Sequence, residues 1–182
     1  MTEKARARTP EEKEKRGRDI LNVARSLFEK HPYKDISMAQ IARTAGVAKG
    51  TVFIYYSTRE ELFLALAREY FGEFFEDMEN RITELALQGT PSSEDLTAVL
   101  KESFSGKESF LKIIPLLGTI IEHNSGYESI REFKLFLAEK MEKTGCYVEG
   151  IFPGLGGGKG LQLFLWLYGA RRRAMRRATS TS

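Results

Sequence analysis

At 182 residues the chain has room for one domain or two small ones, and at that size folding buries roughly 70% of the unfolded surface. Its 42% hydrophobic and 29% charged residues exclude global disorder, and its single cysteine, Cys146, excludes an intrachain disulfide. The net charge of +3 is unevenly spread: residues 1–74 carry 14 cations against 11 acids, residues 75–169 carry 9 against 14, and the last thirteen carry five arginines and no acid.

His31, His123 and Cys146 stand too far apart in sequence for a structural zinc, so no metal and no cofactor is expected. The first residues, with Arg6, Arg8, Lys13, Lys15 and Arg16 among acids, lack the apolar core of a signal peptide. The longest uncharged apolar run, Ile113 to Ile121, is nine residues, against the roughly 20 of a spanning helix. A cytoplasmic protein with no membrane partner is expected.

Taken in chain order, the sequence reads as helix almost throughout. Thr9, Pro10, Glu11 and Glu12 form a start signal, with proline at the first helical position. Ile20, Leu21, Ala24, Leu27 and Phe28 make one apolar stripe, and Pro32 stops the helix near His31. Ser37 and Gln40 are a capping pair that opens a short helix, Met38 to Ala45, and Gly46 suits its left-handed end. A third helix is predicted from about Lys49 to Tyr55. Thr58 and Glu61 repeat the capping pattern ahead of a fourth helix, with Glu60 and Glu61 in its first turn.

Gly72 is read as a break before a fifth segment, Glu73 to Gln88, and residues 89–93 as a loop. Further helices are expected near Ser93–Ser105, Lys107–Glu122, Gly126–Glu149 and Gly158–Ala178. The fold class is therefore all-α with about nine helices and no competing strands. The predicted layout is an N-terminal flexible arm, 1–13, a first domain of three helices and their continuation, 14–74, a second domain, 75–178, and a tail, 179–182.

The two short helices joined by Ala45-Gly46-Val47-Ala48 fit a helix-turn-helix, in which the first helix braces and the second enters the major groove of DNA. Ile41, Ala45, Val47, Val52 and Tyr56 supply the packing face, and small Ala42 permits close helix approach. Between Ser37 and Arg59 there are three cations, Arg43, Lys49 and Arg59, and no acid, a balance that suits a polyanion.

The run from Ile41-Ala42 through Ala45-Gly46-Val47-Ala48-Lys49-Gly50-Thr51-Val52-Phe53 to Tyr55-Tyr56, followed by Arg59-Glu60-Glu61-Leu62, resembles the TetR/AcrR regulators over roughly residues 14–74. The resemblance implies that the third helix presents Lys49, Gly50, Thr51, Ile54 and Tyr55 to DNA. Lys49 would meet a phosphate or guanine, Gly50 would let the backbone approach, Thr51 would bond a phosphate or touch a thymine methyl, and Ile54 would make apolar contact. Ser37 and Met38 would point amides at a phosphate, and Arg43 and Arg59 would add charge, Arg59 as a phosphate fork. Ala48 and Phe53 stand where relatives carry hydroxyls, so two phosphate bonds are missing.

By the same resemblance the second domain dimerises and binds an effector, making the chain a ligand-responsive regulator, a repressor on a palindromic operator. A hydrophobic small molecule is the expected inducer, with Phe74, Leu100, Phe104, Phe110, Ile113, Ile114, Leu117 and Ile121 as candidate lining. These residues equally suit an ordinary helical core. Pro115 and Gly118 are read as interruptions that open space in their helix.

The stripe Ile130, Phe133, Leu137, Met141, Thr144 and Val148 and the nearly all-apolar run with Leu161, Phe164, Leu165, Trp166 and Tyr168 are candidate homodimer surfaces. The segment Gly154 to Gly160 lacks the residues of a P-loop and reads as a flexible link. Arg171, Arg172, Arg173, Arg176 and Arg177 suit a helix end and a solvated tail, or a nonspecific role with nucleic acid. No catalytic constellation is visible, so an enzyme is not expected. The alternative from another class is an architectural or nonspecific nucleic-acid binder.

Overall fold

A computed structural model describes residues 9–122, 126–155, 157–160 and 162. Among them are seven α-helices and two single turns of 3-10 helix, with no strand. The expectation of about nine α-helices is corrected at one point, since the fourth and fifth predicted segments are one helix. The last predicted helix, 158–178, lies almost wholly outside the described residues.

Helix α1 spans Pro10–Lys30, so residues 10–13, assigned to the arm, are its first turn. The Thr9 hydroxyl accepts from the Glu12 amide at 3.2 Å, and the Thr9 amide donates to the Glu12 carboxylate at 3.3 Å, satisfying two orphan donors. Ile20, Leu21, Ala24 and Phe28 are buried along one stripe. α2 spans Met38–Ala45 and α3 Lys49–Tyr55. Ser37 caps α2 by accepting from the Gln40 amide, and Gly46 closes it at φ 64°, a conformation that side chains resist. The Val47 amide then donates to the Ala42 carbonyl at 3.0 Å, which turns the chain tightly into α3.

Helix α4 runs uninterrupted over Arg59–Gln88. Gly72 does not break it, although glycine inside a helix costs about 0.5–1 kcal/mol relative to alanine. Tyr70, Phe71, Phe74 and Phe75 are buried on either side of Gly72 and outweigh that cost. Helices α5, Ser93–Phe104, α6, Glu108–Glu122, and α7, Tyr127–Ile151, follow. Pro115 lies inside α6, which continues past it as the predicted helix Lys107–Glu122 does. It faces solvent, where the carbonyl it deprives of a partner can meet water, while Ile113, Ile114, Leu117 and Ile120 are buried on either side of it.

The chain forms two compact units. The first takes in residues up to Ala67 with Leu116–Ile130, and the second Arg68–Pro115 with the chain from Arg131 onward. The first unit buries Ile41, Ala42, Val52, Leu62, Phe63 and Leu66 around α1. The Phe63 ring meets Phe28 and Tyr33 edge-on, at 5.5 and 4.7 Å.

The second unit is built on phenylalanines from four helices. Phe74 stacks on Phe110 at 4.7 Å and lies 4.9 Å from Phe104, while Phe71 meets Phe110 and Phe133 edge-on. Each such pair adds about 0.5–1.5 kcal/mol beyond the area it buries.

The glycine-rich segment of the second unit is organised rather than slack. Glu149 on α7 accepts from the amides of Gly158 at 3.3 Å and Gly160 at 2.8 Å. A Cβ on Gly160 would run into the Gly145 carbonyl oxygen, so this crossing admits only glycine.

Candidate nucleic-acid interface

The sequence of α3 divides cleanly between inside and outside. Val52 is fully buried, while Lys49, Gly50, Phe53 and Ile54 are exposed and Thr51 and Tyr55 half-buried. Phe53 and Ile54 are 41% and 64% exposed, so two large apolar side chains stand side by side in solvent. The Lys49 ammonium lies 5.7 Å from the Phe53 ring centroid, the two being one turn apart. A Cβ on Gly50 would meet nothing within 4 Å. This glycine answers no demand of its own fold.

Three contacts hold that face in position. α2 packs on both α1 and α3. The Tyr56 hydroxyl donates to the Gly17 carbonyl at 3.3 Å, and the Tyr55 ring lies 3.3 Å from the Cβ position of Gly17. α1 therefore receives the end of α3 at a residue with no side chain. Helix-breaking Gly17 amid good helix formers was the available signal for this contact. Ala48 at the head of α3 makes no side-chain cap.

The other candidates differ in placement. Arg43 is exposed on the last turn of α2. The Ser37 hydroxyl is engaged as the α2 cap, and the Met38 side chain is buried, which leaves only its backbone for a phosphate. Arg59 is turned inward, unlike the fork expected of it. Its guanidinium donates to the Ile36 carbonyl at 3.2 Å and to Glu60 at 3.2 Å, and stacks 4.2 Å over the Tyr33 ring.

Tyr33 and Glu60 complete this joint, and sequence reasoning singled out neither as functional. The Tyr33 hydroxyl donates to the Glu60 carboxylate at 2.9 Å. Burial, and then the bond to the Glu60 anion, push the Tyr33 hydroxyl up to about 12. Burial opposes the charge on Glu60, yet its backbone amide, the Tyr33 hydroxyl and Arg59 together hold its carboxyl below the ordinary range.

In the second unit Phe74, Phe104 and Phe110 come together, Ile113 and Ile114 are buried, and Leu100 is half-buried. Leu117 belongs to the first unit, and the Ile121 side chain lies outside the described residues. Of the candidate dimer stripe, Phe133 and Met141 are 3% and 7% exposed within a single chain. Thr144 is buried too, its hydroxyl donating to Glu79 at 2.6 Å. That stripe serves the protomer's own core, which corrects the reading of Phe133 and Met141 as partner-facing; Ile130 and Leu137 are half-buried. Leu161, Phe164, Leu165, Trp166 and Tyr168 and the arginine cluster lie outside the described residues.

Two short helices joined by a left-handed glycine, the second with an exposed outer face, define a helix-turn-helix DNA-binding protein. Residues 68–170 match a family profile described as a tetracyclin repressor-like C-terminal domain. Residues 20–66 match the profile of the bacterial regulatory proteins of the tetR family. The chain belongs to the TetR family of transcriptional regulators, which are DNA-binding proteins and not enzymes.

Among its relatives, a fatty acid metabolism regulator protein of Bacillus subtilis is 33% identical over 86 residues, 47% of this chain and 42% of that protein. The HTH-type transcriptional repressor AcnR of Corynebacterium diphtheriae is 41% identical over 54 residues, 30% of this chain and 28% of that protein. The uncharacterized HTH-type regulator YerO of Bacillus subtilis is 27% identical over 141 residues, 76% of this chain and 46% of that protein. The chain thus spans less than half the length of these curated relatives. No helix of the described residues is long and apolar enough to cross a membrane.

Proposed function

We propose that this regulator is a cytoplasmic repressor that binds a palindromic operator as a homodimer and is released by a hydrophobic small molecule. The observation that carries the DNA-reading part is the face of α3, where Lys49, Gly50, Phe53 and Ile54 lie exposed over buried Val52. A two-fold protein suits two half-sites about one helical turn apart. The packed phenylalanines of the second unit are the apolar surface such an effector would meet, and the name of the relative that regulates fatty acid metabolism makes acyl compounds the first to try.

Selection of bound duplexes from a random pool, followed by binding titrations, tests the reading. Lys49→Ala is expected to weaken the selected duplex by about 1–3 kcal/mol if Lys49 meets a base. If it meets only a phosphate, the slope of log K against log salt falls by about 0.9. No change in either removes Lys49 from the interface. Equal competition by unrelated DNA would favour a nonspecific architectural protein instead, and sedimentation as a monomer at micromolar concentration would exclude the dimer.

A further inference from the structure

The hydrogen-bonding equipment of α3 is sparse. Its sequence, Lys49 to Tyr55, contains no arginine, asparagine or glutamine, so Lys49 is its one side chain of the kind that grips guanine or adenine in two-point fashion. Of its polar side chains, Thr51 and Tyr55 are half-buried, Tyr55 lies against Gly17, and the Lys49 ammonium is drawn over Phe53. What α3 offers outward instead is apolar.

Residues one turn apart form two adjacent strips along this helix, Lys49 with Phe53 and Gly50 with Ile54. On the second strip Gly50 leaves open space, so a partner can come close to the backbone, and Ile54 stands 64% exposed beside that opening. Neither helix propensity nor core packing accounts for a β-branched apolar residue there. The major groove displays one apolar group, the 5-methyl of thymine.

Resting on the DNA-reading function proposed above, we infer that Ile54, with Phe53 beside it, specifies thymine in each half-site by burying its 5-methyl group. At those A·T pairs the operator is thereby selected through apolar contact, whatever Lys49 contributes elsewhere in the half-site.

The test uses the full chain and duplexes selected from a random pool, resynthesised with each thymine replaced singly by deoxyuridine, which removes the methyl and leaves every hydrogen-bonding group in place. Burial of one methyl corresponds to about a fourfold change in affinity. Loss of that size is expected at one or two symmetry-related thymines per half-site. In Ile54→Ala, whose exposed position leaves the melting temperature unchanged, the same replacement is expected to have no further effect; Phe53→Ala tests the neighbouring position in the same way. Uracil-insensitive binding by the unaltered protein overturns the inference while leaving DNA recognition intact, as does an equal uracil penalty in both variants and the unaltered protein. Failure to enrich any duplex would overturn sequence-specific reading itself, and this inference with it.

Discussion

Gly50 in the first unit and Gly160 in the second both lack a side chain, for opposite reasons. Around Gly50 a methyl group would meet nothing, whereas at Gly160 it would enter the Gly145 carbonyl oxygen. The first absence is explained only by something outside the chain, and the second only by something within it. The contrast extends to the units that hold them. On α3 the informative residues are exposed ones, such as Phe53 and Ile54, while in the second unit they are interior phenylalanines and the Glu149 carboxylate that seats the glycine loop. Under the proposed function the outer face of α3 answers to DNA, whereas the second unit answers to its own packing.

Adding a methyl group at each glycine is the direct way to break that comparison. Gly160→Ala should destabilise the protein by about 1–3 kcal/mol, the usual penalty of overfilling a packed contact, as measured by chemical denaturation. Unchanged stability would mean that the crossing at Gly145 yields freely. Gly50→Ala should do the reverse to the fold, raising stability by about 0.5–1 kcal/mol because alanine is the better helix former. The same variant should bind selected DNA about tenfold more weakly, a loss on the order of 1.4 kcal/mol, because the methyl holds the helix away from the groove. A variant both more stable and equally tight would make Gly50 an ordinary surface glycine.

The two units were unequally legible in the sequence for the same physical reason. The bounds of α2 and α3 follow from local signals, the Ser37 cap and left-handed Gly46, which act within a few residues. The exposed face of α3 could be named because a motif dictates it. Other features rest on distant partners. Gly72 looks like a stop until Phe71, Phe74 and Phe75 are seen buried around it. Glu149 organises amides nine and eleven residues away, which no helical spacing reveals. The stripe on α7 was visible, but a stripe says only that a face is buried, not against which chain. Phe133, lying edge-on to Phe71, answers that within the protomer. Arg59 was legible as a cation, and its stacking on Tyr33 was not.

The joint of Tyr33, Glu60 and Arg59 sharpens the comparison from the other side, since here residues of the first unit, like Thr144 and Glu79 in the second, answer to one another through polar bonds. Its effect should be the smallest and confined to the extremes of pH. The Tyr33 hydroxyl ionises near 10 in the unfolded chain and at about 12 when folded. Above pH 10 the unfolded chain therefore releases a proton that the folded one keeps, and stability falls as pH rises from 10 through 12. Glu60 acts at the acid end: its carboxyl is held below the usual value, so the stability it contributes is present above the unfolded pKa and is lost as pH falls through the folded one. In Tyr33→Phe the alkaline loss should shrink. The acid loss should also shrink, because one of the bonds that lower Glu60 is gone. Denaturation midpoints measured across pH for both proteins read these changes, and a variant whose profile overlays the original at both ends would show that the Tyr33–Glu60 bond contributes nothing to the joint.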